Sequence, residues 1–144
     1  MKKRKILLTL AGILVFSMNV FGTTSSAAGN YHDTTFAFSF SNYSPSYLGW
    51  VTTPREKLDY TSSYMKCKSA TSGHSYVAFV GACRSIDDPY RYEVGSPSYT
   101  FVQGTTRYMI NYVKERGYDY ACIKAEPNDY ATWNASGVWS PDSI

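Results

Sequence analysis

The sequence predicts an all-β domain, a small antiparallel β-sandwich, preceded by a cleavable signal-peptide helix. Three observations carry this expectation. Beyond residue 28, leucine occurs only at Leu48 and Leu58, while all 14 tyrosines and all three tryptophans lie in that part. Chains rich in Tyr, Thr, Val and Phe and poor in leucine suit half-buried pleated surfaces and rarely form helix bundles. Apolar residues alternate with a period of two in several segments, and turn-forming residues interrupt them about every ten residues.

The elements follow in order. Phe36-Ala37-Phe38-Ser39-Phe40 alternates, with three phenylalanines on one face. Tyr60 to Lys68 sets Met65 and Cys67 on one side and Tyr64, Lys66 and Lys68 on the other. Ser75 to Arg84 is apolar enough for a central strand. The cluster from Ser69 to His74 between these two reads as the turn of a hairpin. Asp87-Asp88-Pro89 ends the next connection. Tyr99 to Val102 is a short strand closed by the turn Gln103-Gly104-Thr105. Arg107 to Val113 fits either a strand or a short helix stopped at Gly117, and the strand is favoured, with Lys114 to Gly117 as its turn. Tyr118 to Ala125 is a strand, Glu126 to Asp129 a loop, and Ala135 to Trp139 a last edge strand. Regularly spaced short strands describe a sandwich or small barrel.

The first residues have a different logic. Lys2-Lys3-Arg4-Lys5 is a basic cluster, Ile6 to Gly22 carries no charge, and Thr23 to Ala28 supplies small residues for a cut near Ala28. This order of parts is that of a secretory signal. The reading is therefore a signal peptide over 1–28 and a single secreted β domain over 29–144, extracellular after cleavage, with membrane contact only during export. No cysteine closes the apolar run, which argues against a lipoprotein, and no sorting motif with an apolar tail argues for wall anchoring. The whole chain counts 14 Lys and Arg against 11 Asp and Glu. Four of the basic residues are in the leader, so the domain has ten against eleven. Its net charge is near −1, and no electrostatic case exists for nucleic acid.

Three short stretches resemble a known group. Thr61-Ser62-Ser63-Tyr64, the run Asn111-Tyr-Val113-Lys-Glu115-Arg-Gly117-Tyr118, and the ending Trp139-Ser-Pro-Asp-Ser143 are similar to small secreted proteins of low-GC Gram-positive bacteria, a domain of unknown function. More distantly, the size and leader resemble lactococcin-972-type bacteriocins. The resemblance implies a small secreted β protein and supplies no catalytic residue. Three cysteines depart from its pattern. Physically, Trp139 suits the end of a core, Asp142 after Pro141 can accept backbone N–H groups, and Gly117-Tyr118-x-Tyr120 resembles a tyrosine corner.

Candidate chemistry is sparse. Cys67, Cys83 and Cys122 are an odd number for an exported chain, whose default is one disulfide and one thiol. In a hairpin centred near Thr71, Cys67 falls opposite Tyr76, so Cys83 with Cys122 is the preferred disulfide, beside the alternative of three buried thiols. Only His32 and His74 could serve a cysteine or serine nucleophile, and no nucleophile elbow is present, so no catalytic residue and no enzyme is expected. The cysteines and histidines are too scattered for a zinc site. Glu126, Asn128 and Asp129, and separately Asp87 with Asp88, bunch oxygen ligands without the spacing of a calcium loop, and read as turn charges. No metal and no cofactor is expected.

So many aromatic rings exceed what a domain of this size can bury, and exposed rings mark recognition surfaces. Tyr43, Tyr47 and Trp50 are the candidate ligand-binding aromatics, and Tyr90 and Tyr92 flank Arg91. Two functions follow, with a cell-wall or envelope component as the partner of either. One is a bacteriocin-like protein acting at another cell's envelope. The other is a non-catalytic module binding cell-wall glycan through exposed aromatics.

Overall fold

A computed structural model describes residues 28–41 and 50–144. Among these residues the chain forms nine strands and no helix. The strands are β1 (Thr34–Phe40), β2 (Trp50–Val51), β3 (Arg55–Glu56), β4 (Ser63–Ala70), β5 (Tyr76–Cys83), β6 (Tyr99–Phe101), β7 (Thr106–Met109), β8 (Tyr120–Pro127) and β9 (Trp133–Ser140). One sheet has the order β1-β9-β4-β7. The other has the order β2-β8-β5-β6, with β3 also pairing on β8. Every pairing is antiparallel. The two sheets pack face to face, so the all-β sandwich is the architecture observed.

The core follows from period-two alternation. Phe36, Phe38 and Phe40 all point inward from β1, and Tyr76, Ala78, Val80 and Ala82 do so from β5. Tyr76 is the meeting point of the rings. It stacks on Phe101 at 5.3 Å between centroids and contacts Phe38, Phe40 and Trp133 at 5.4–6.2 Å. Large rings opposite a row of alanines let the two layers interdigitate at the density of a close-packed interior.

Two expectations are corrected. β4 and β5 are not a hairpin. β4 pairs with β9 and β7 in one sheet, whereas β5 pairs with β8 and β6 in the other. The turn cluster after Ala70 therefore carries the chain from layer to layer. The inward side chains of β4, Met65 and Cys67 among them, face those of β5 across the core, which a hairpin within one sheet would forbid. The last long strand, β9, is also no edge. It lies between β1 and β4, and its buried Ala135, Val138 and Trp139 fit a central position. The ambiguous segment resolves into β7 followed by a turn. In that turn the N–H of Gly117, at φ +80°, donates to the Lys114 carbonyl, and Tyr118 N–H donates to Val113. The positive φ explains the glycine, since only it adopts that region without strain.

β2 and β3 are one interrupted edge. Pro54 has no N–H to offer a ladder, and Thr52 bridges the gap instead. Thr52 N–H donates to the Ile123 carbonyl at 3.0 Å, and its hydroxyl accepts from Ile123 N–H at 2.9 Å.

Gly137 marks the closest approach within the first sheet. It stands opposite Phe36 on one side and Cys67 on the other, beside a bulge between Cys67 and Ser69. A Cβ there would collide with the Lys66 carbonyl and the Phe36 ring. The backbone contact cannot yield without moving β4, so Gly137→Ala should destabilise the domain by about 3 kcal/mol. Thermal unfolding should show a fall in Tm of roughly 10 °C.

Candidate functional site

The first place where polar chemistry concentrates is a buried ion pair. Lys57 Nζ lies 2.7 Å from Asp142 Oδ1, with both side chains shielded from solvent. The ammonium has three donors. They reach the Thr61 carbonyl at 2.7 Å, the Pro141 carbonyl at 2.9 Å and Asp142. The other Asp142 oxygen accepts backbone N–H groups of Asn30 at 2.7 Å and Leu58 at 3.0 Å. The surrounding hydroxyls complete the set: Ser63 donates to the Pro141 carbonyl, Ser140 to the Asp142 carbonyl, and Ser143 N–H donates to Thr61 Oγ1. Asn111 reaches the same centre through Thr61 and Ser63. Burial pushes the Asp142 carboxyl upward. The Lys57 ammonium and the N–H groups of Leu58 and Asn30 outweigh it and hold the group below its ordinary value. With every donor and acceptor matched and no water access, this centre fastens chain segments and has no free group for catalysis.

Beside it lies a shallow hollow of about 140 Å³, lined by Tyr31, Asp33, Tyr64, Tyr108, Ser140, Asp142, Ser143 and Ile144. Tyr64 on β4 and Tyr108 on β7 are directly opposite in register, with ring centroids 5.6 Å apart. Tyr31 is fixed by its hydroxyl, which donates to Asp59 at 3.2 Å. Tyr108 is 60% exposed, so its ring faces solvent. Burial, followed by the nearby Asp33 carboxylate, pushes the Tyr64 phenol upward, so it is a neutral hydrogen-bonding hydroxyl at any physiological pH. The hollow therefore joins flat aromatic faces, phenol hydroxyls and one exposed carboxylate.

A larger cleft of about 480 Å³ runs along β1 between Thr34–Phe38 and Val51–Arg55, with Ile86 and Trp139. Its charged group is already engaged. Arg55 donates to the Trp139 carbonyl at 3.1 Å and to Asn30 Oδ1 at 2.8 Å. The hydroxyls of Thr34, Thr35 and Thr53 line it as well, but it presents no exposed aromatic pair.

The residues singled out from sequence are placed as follows. Tyr43 and Tyr47 lie outside the described residues. Trp50 is half-buried, packs on Phe40 at 5.1 Å and donates its indole N–H to the Ser39 carbonyl at 2.6 Å. Tyr92 stacks on Tyr118 at 5.2 Å. The three cysteines are buried thiols. Cys67 faces the core, whereas Cys83 and Cys122 share the opposite face of the second sheet on adjacent strands. Two of the loop carboxylates are occupied locally. Asp88 accepts Arg84 and Tyr90 N–H groups, and Asp129 binds His74 at 2.8 Å and the Ala131 N–H. Among the described residues, no three His, Cys, Asp or Glu side chains gather to hold a metal ion.

The three motif stretches meet at the buried pair: Thr61 and Ser63 from the first, Asn111 from the second, Pro141, Asp142 and Ser143 from the third. A family model for a protein of unknown function, DUF2712, matches residues 23–143. The chain belongs to the DUF2712 family. No curated protein and no solved structure matches it. In this DUF2712 domain, sequence reasoning missed Lys57, which no motif flagged. Of the hollow, the Thr-Ser-x-Tyr stretch gave a sign through Tyr64 and the Trp-Ser-Pro-Asp-Ser ending through Ser140, Asp142 and Ser143, whereas Tyr31, Asp33 and Tyr108 were not singled out.

Removing one partner of the buried pair leaves the other charge uncompensated. Lys57→Met should cost about 3–5 kcal/mol, and the double variant Lys57→Met/Asp142→Leu should cost less than Lys57→Met alone. Chemical denaturation of the variants measures both. The pH dependence has a definite sign. A carboxyl held below its unfolded value, near 4, contributes stability that is complete above that value and lost as pH falls through the folded one. Asp88, held down by the Arg84 and Tyr90 N–H groups, and Asp129, held down by His74, act in the same direction. Unfolding midpoints should therefore be flat from about pH 5 to 7 and fall steeply below about pH 4. Asp142→Asn should flatten that fall.

Proposed function

We propose that this chain is exported and that its β-sandwich is a non-catalytic module that binds a glycan of the cell wall at the hollow formed by Tyr31, Tyr64 and Tyr108. The observation that carries this reading is the convergence of those rings on Asp33 at the surface. A pyranose ring has an apolar C–H face and a rim of hydroxyls. An aromatic face removes the former from water, and phenol hydroxyls with a carboxylate can bond the latter. Tyrosine does this at low entropic cost, having two side-chain torsions to fix. Placing two of the rings on paired strands holds their spacing before the ligand arrives. A domain charge near zero suits a neutral polymer better than a polyanion. The export part of the proposal rests on the leader pattern of residues 1–28.

The bacteriocin-like reading draws on size and leader, and no side chain described above favours it over a binding module. Purified mature protein mixed with insoluble cell walls tests the proposal. Wild type should sediment with the walls. Tyr31→Ala/Tyr108→Ala should lower the bound fraction about tenfold or more, the loss of two ring contacts at roughly 1 kcal/mol each. Tyr130, 86% exposed in the turn between β8 and β9, serves as the control, and Tyr130→Ala should bind as wild type does. Equal retention of the double variant and wild type, with melting unchanged, would sink the reading.

A further inference from the structure

The outer face of the second sheet carries a covered thiol pair that the proposed glycan site does not use. Cys83 stands opposite Tyr120, and Cys122 opposite Gly81, so the two cysteines are diagonal neighbours on adjacent strands. Gly81 puts no side chain between them. The Cys122 sulfur leans over it, 3.3 Å from where a Gly81 Cβ would stand. The connection from Arg84 to Tyr92 roofs the pair. Asp88 gathers the roof by accepting Arg84 and Tyr90 N–H groups, and Tyr92 returns to the sheet through paired hydrogen bonds with Ala82. Arg91 is held in that roof by the Asp88 and Tyr90 carbonyls, with its guanidinium beside Cys83. The Arg91 Nε–H is buried and has no acceptor. A guanidinium held next to a sulfur is the environment that favours a thiolate.

We propose that Cys83 and Cys122 are a reactive dithiol that closes to a reversible disulfide by exchange with an external disulfide, with Cys83 as the attacking sulfur, Cys122 as the resolving one, and Cys67 left as a thiol. The proposal rests on the export reading and is independent of the glycan hollow. The neighbouring Cys122 thiol, aided by the Arg91 charge, outweighs burial and lowers the Cys83 thiol, while the Cys83 sulfur and burial raise Cys122. The step balances as an exchange. Cys83 sulfur attacks one sulfur of the external disulfide, that S–S bond breaks, and the departing thiolate takes up a proton. Cys122 then loses its proton and attacks the Cys83 sulfur, releasing the second external thiol. Two cysteine thiols are oxidised, and one external disulfide is reduced to two thiols.

Geometry argues for a reversible bridge. Diagonal neighbours in a sheet have Cα atoms about 7–8 Å apart, at or past the span a relaxed disulfide covers. Closing the bond must draw β5 and β8 together, and a strained bridge is readily reduced again. Both sulfurs are shielded, so the exchange partner reaches them when the roof lifts; its residues Arg84 to Asp87 are solvent-exposed.

The test uses reduced full domain incubated natively with oxidised glutathione, then unfolded and alkylated. One alkylated thiol, Cys67, is expected in place of three, and dithiothreitol should restore all three. Cys122→Ser should stall with glutathione on Cys83, and Cys83→Ser should take up glutathione at least tenfold more slowly. Three alkylated thiols in treated wild type, a bridge that includes Cys67 in the peptide map, or a stalled adduct on Cys122 would each overturn the proposal. Where a serine variant does not fold, the wild-type peptide map decides alone. Loss of wall binding by Tyr31→Ala/Tyr108→Ala leaves this result unchanged, so the two proposals fail separately.

Discussion

A single ammonium–carboxylate contact organises one end of this sandwich. Lys57 and Asp142 are both withdrawn from water, and two charges so placed are tolerable only when every remaining donor and acceptor is matched. Matching them recruits residues from distant parts of the chain: Asn30 ahead of β1, Leu58 and Thr61 ahead of β4, Pro141 behind β9. The pair thus ties the segment before the first strand to the segment after the last. An apolar contact of the same volume could hold those segments together, but it would not fix which backbone groups meet. Directional bonds to named carbonyls and N–H groups do, and they explain why polar residues crowd a point where burial alone would call for leucine.

The aromatic core solves a different problem. Strand β1 contributes three phenylalanines and little else to the interior, so the facing layer must offer small residues and a few large rings. Ala78, Ala82, Ala121 and Ala125 provide the former, and Tyr76 with Phe101 the latter, while Trp133 packs beside Phe40 from the neighbouring strand β9. Gly137 is the extreme of the same rule, where even one methyl group would displace a neighbouring strand. High tyrosine content is therefore split. Tyr76 is wholly buried, whereas Tyr60, Tyr90, Tyr108 and Tyr130 stand in solvent. Composition could announce an excess of rings but not which of them the core would take.

What the sequence made legible follows the same division. Alternation located β1, β4 and β8 to within a few residues, because one face of each is apolar and the other more polar, whereas β5 was legible as a run apolar on both faces. Gly104 and Gly117 were legible as turn residues, and both stand at the positive φ that explains a glycine there. Partnering was not. Nothing local distinguishes a six-residue turn that folds β5 back beside β4 from one that carries it to the other layer, so the hairpin was misassigned. Nor does β9 reveal from its own residues that two strands flank it. Asp142 was legible as an acceptor because it follows a proline at a turn. Lys57 was not, since an isolated lysine ordinarily points to solvent and its burial depends on three carbonyl and carboxylate acceptors supplied from elsewhere.

The buried pair and the tyrosine hollow are adjacent, and the adjacency has a mechanical meaning. Asp142 and Ser143 line the hollow from below while Tyr31, Tyr64 and Tyr108 form its sides. Tyr31 is one residue from Asn30, whose N–H is held by Asp142, and its hydroxyl is held by Asp59, which also binds Thr61. Tyr64 follows Ser63, whose hydroxyl is committed to Pro141. Each ring of the hollow is therefore within one or two covalent steps of a group bonded into the lock or paired across strands. A surface patch on loops would have to be ordered by its ligand, at an entropic cost set against affinity. Here the ordering is already supplied by folding, which is what the proposed glycan site would need of its rings.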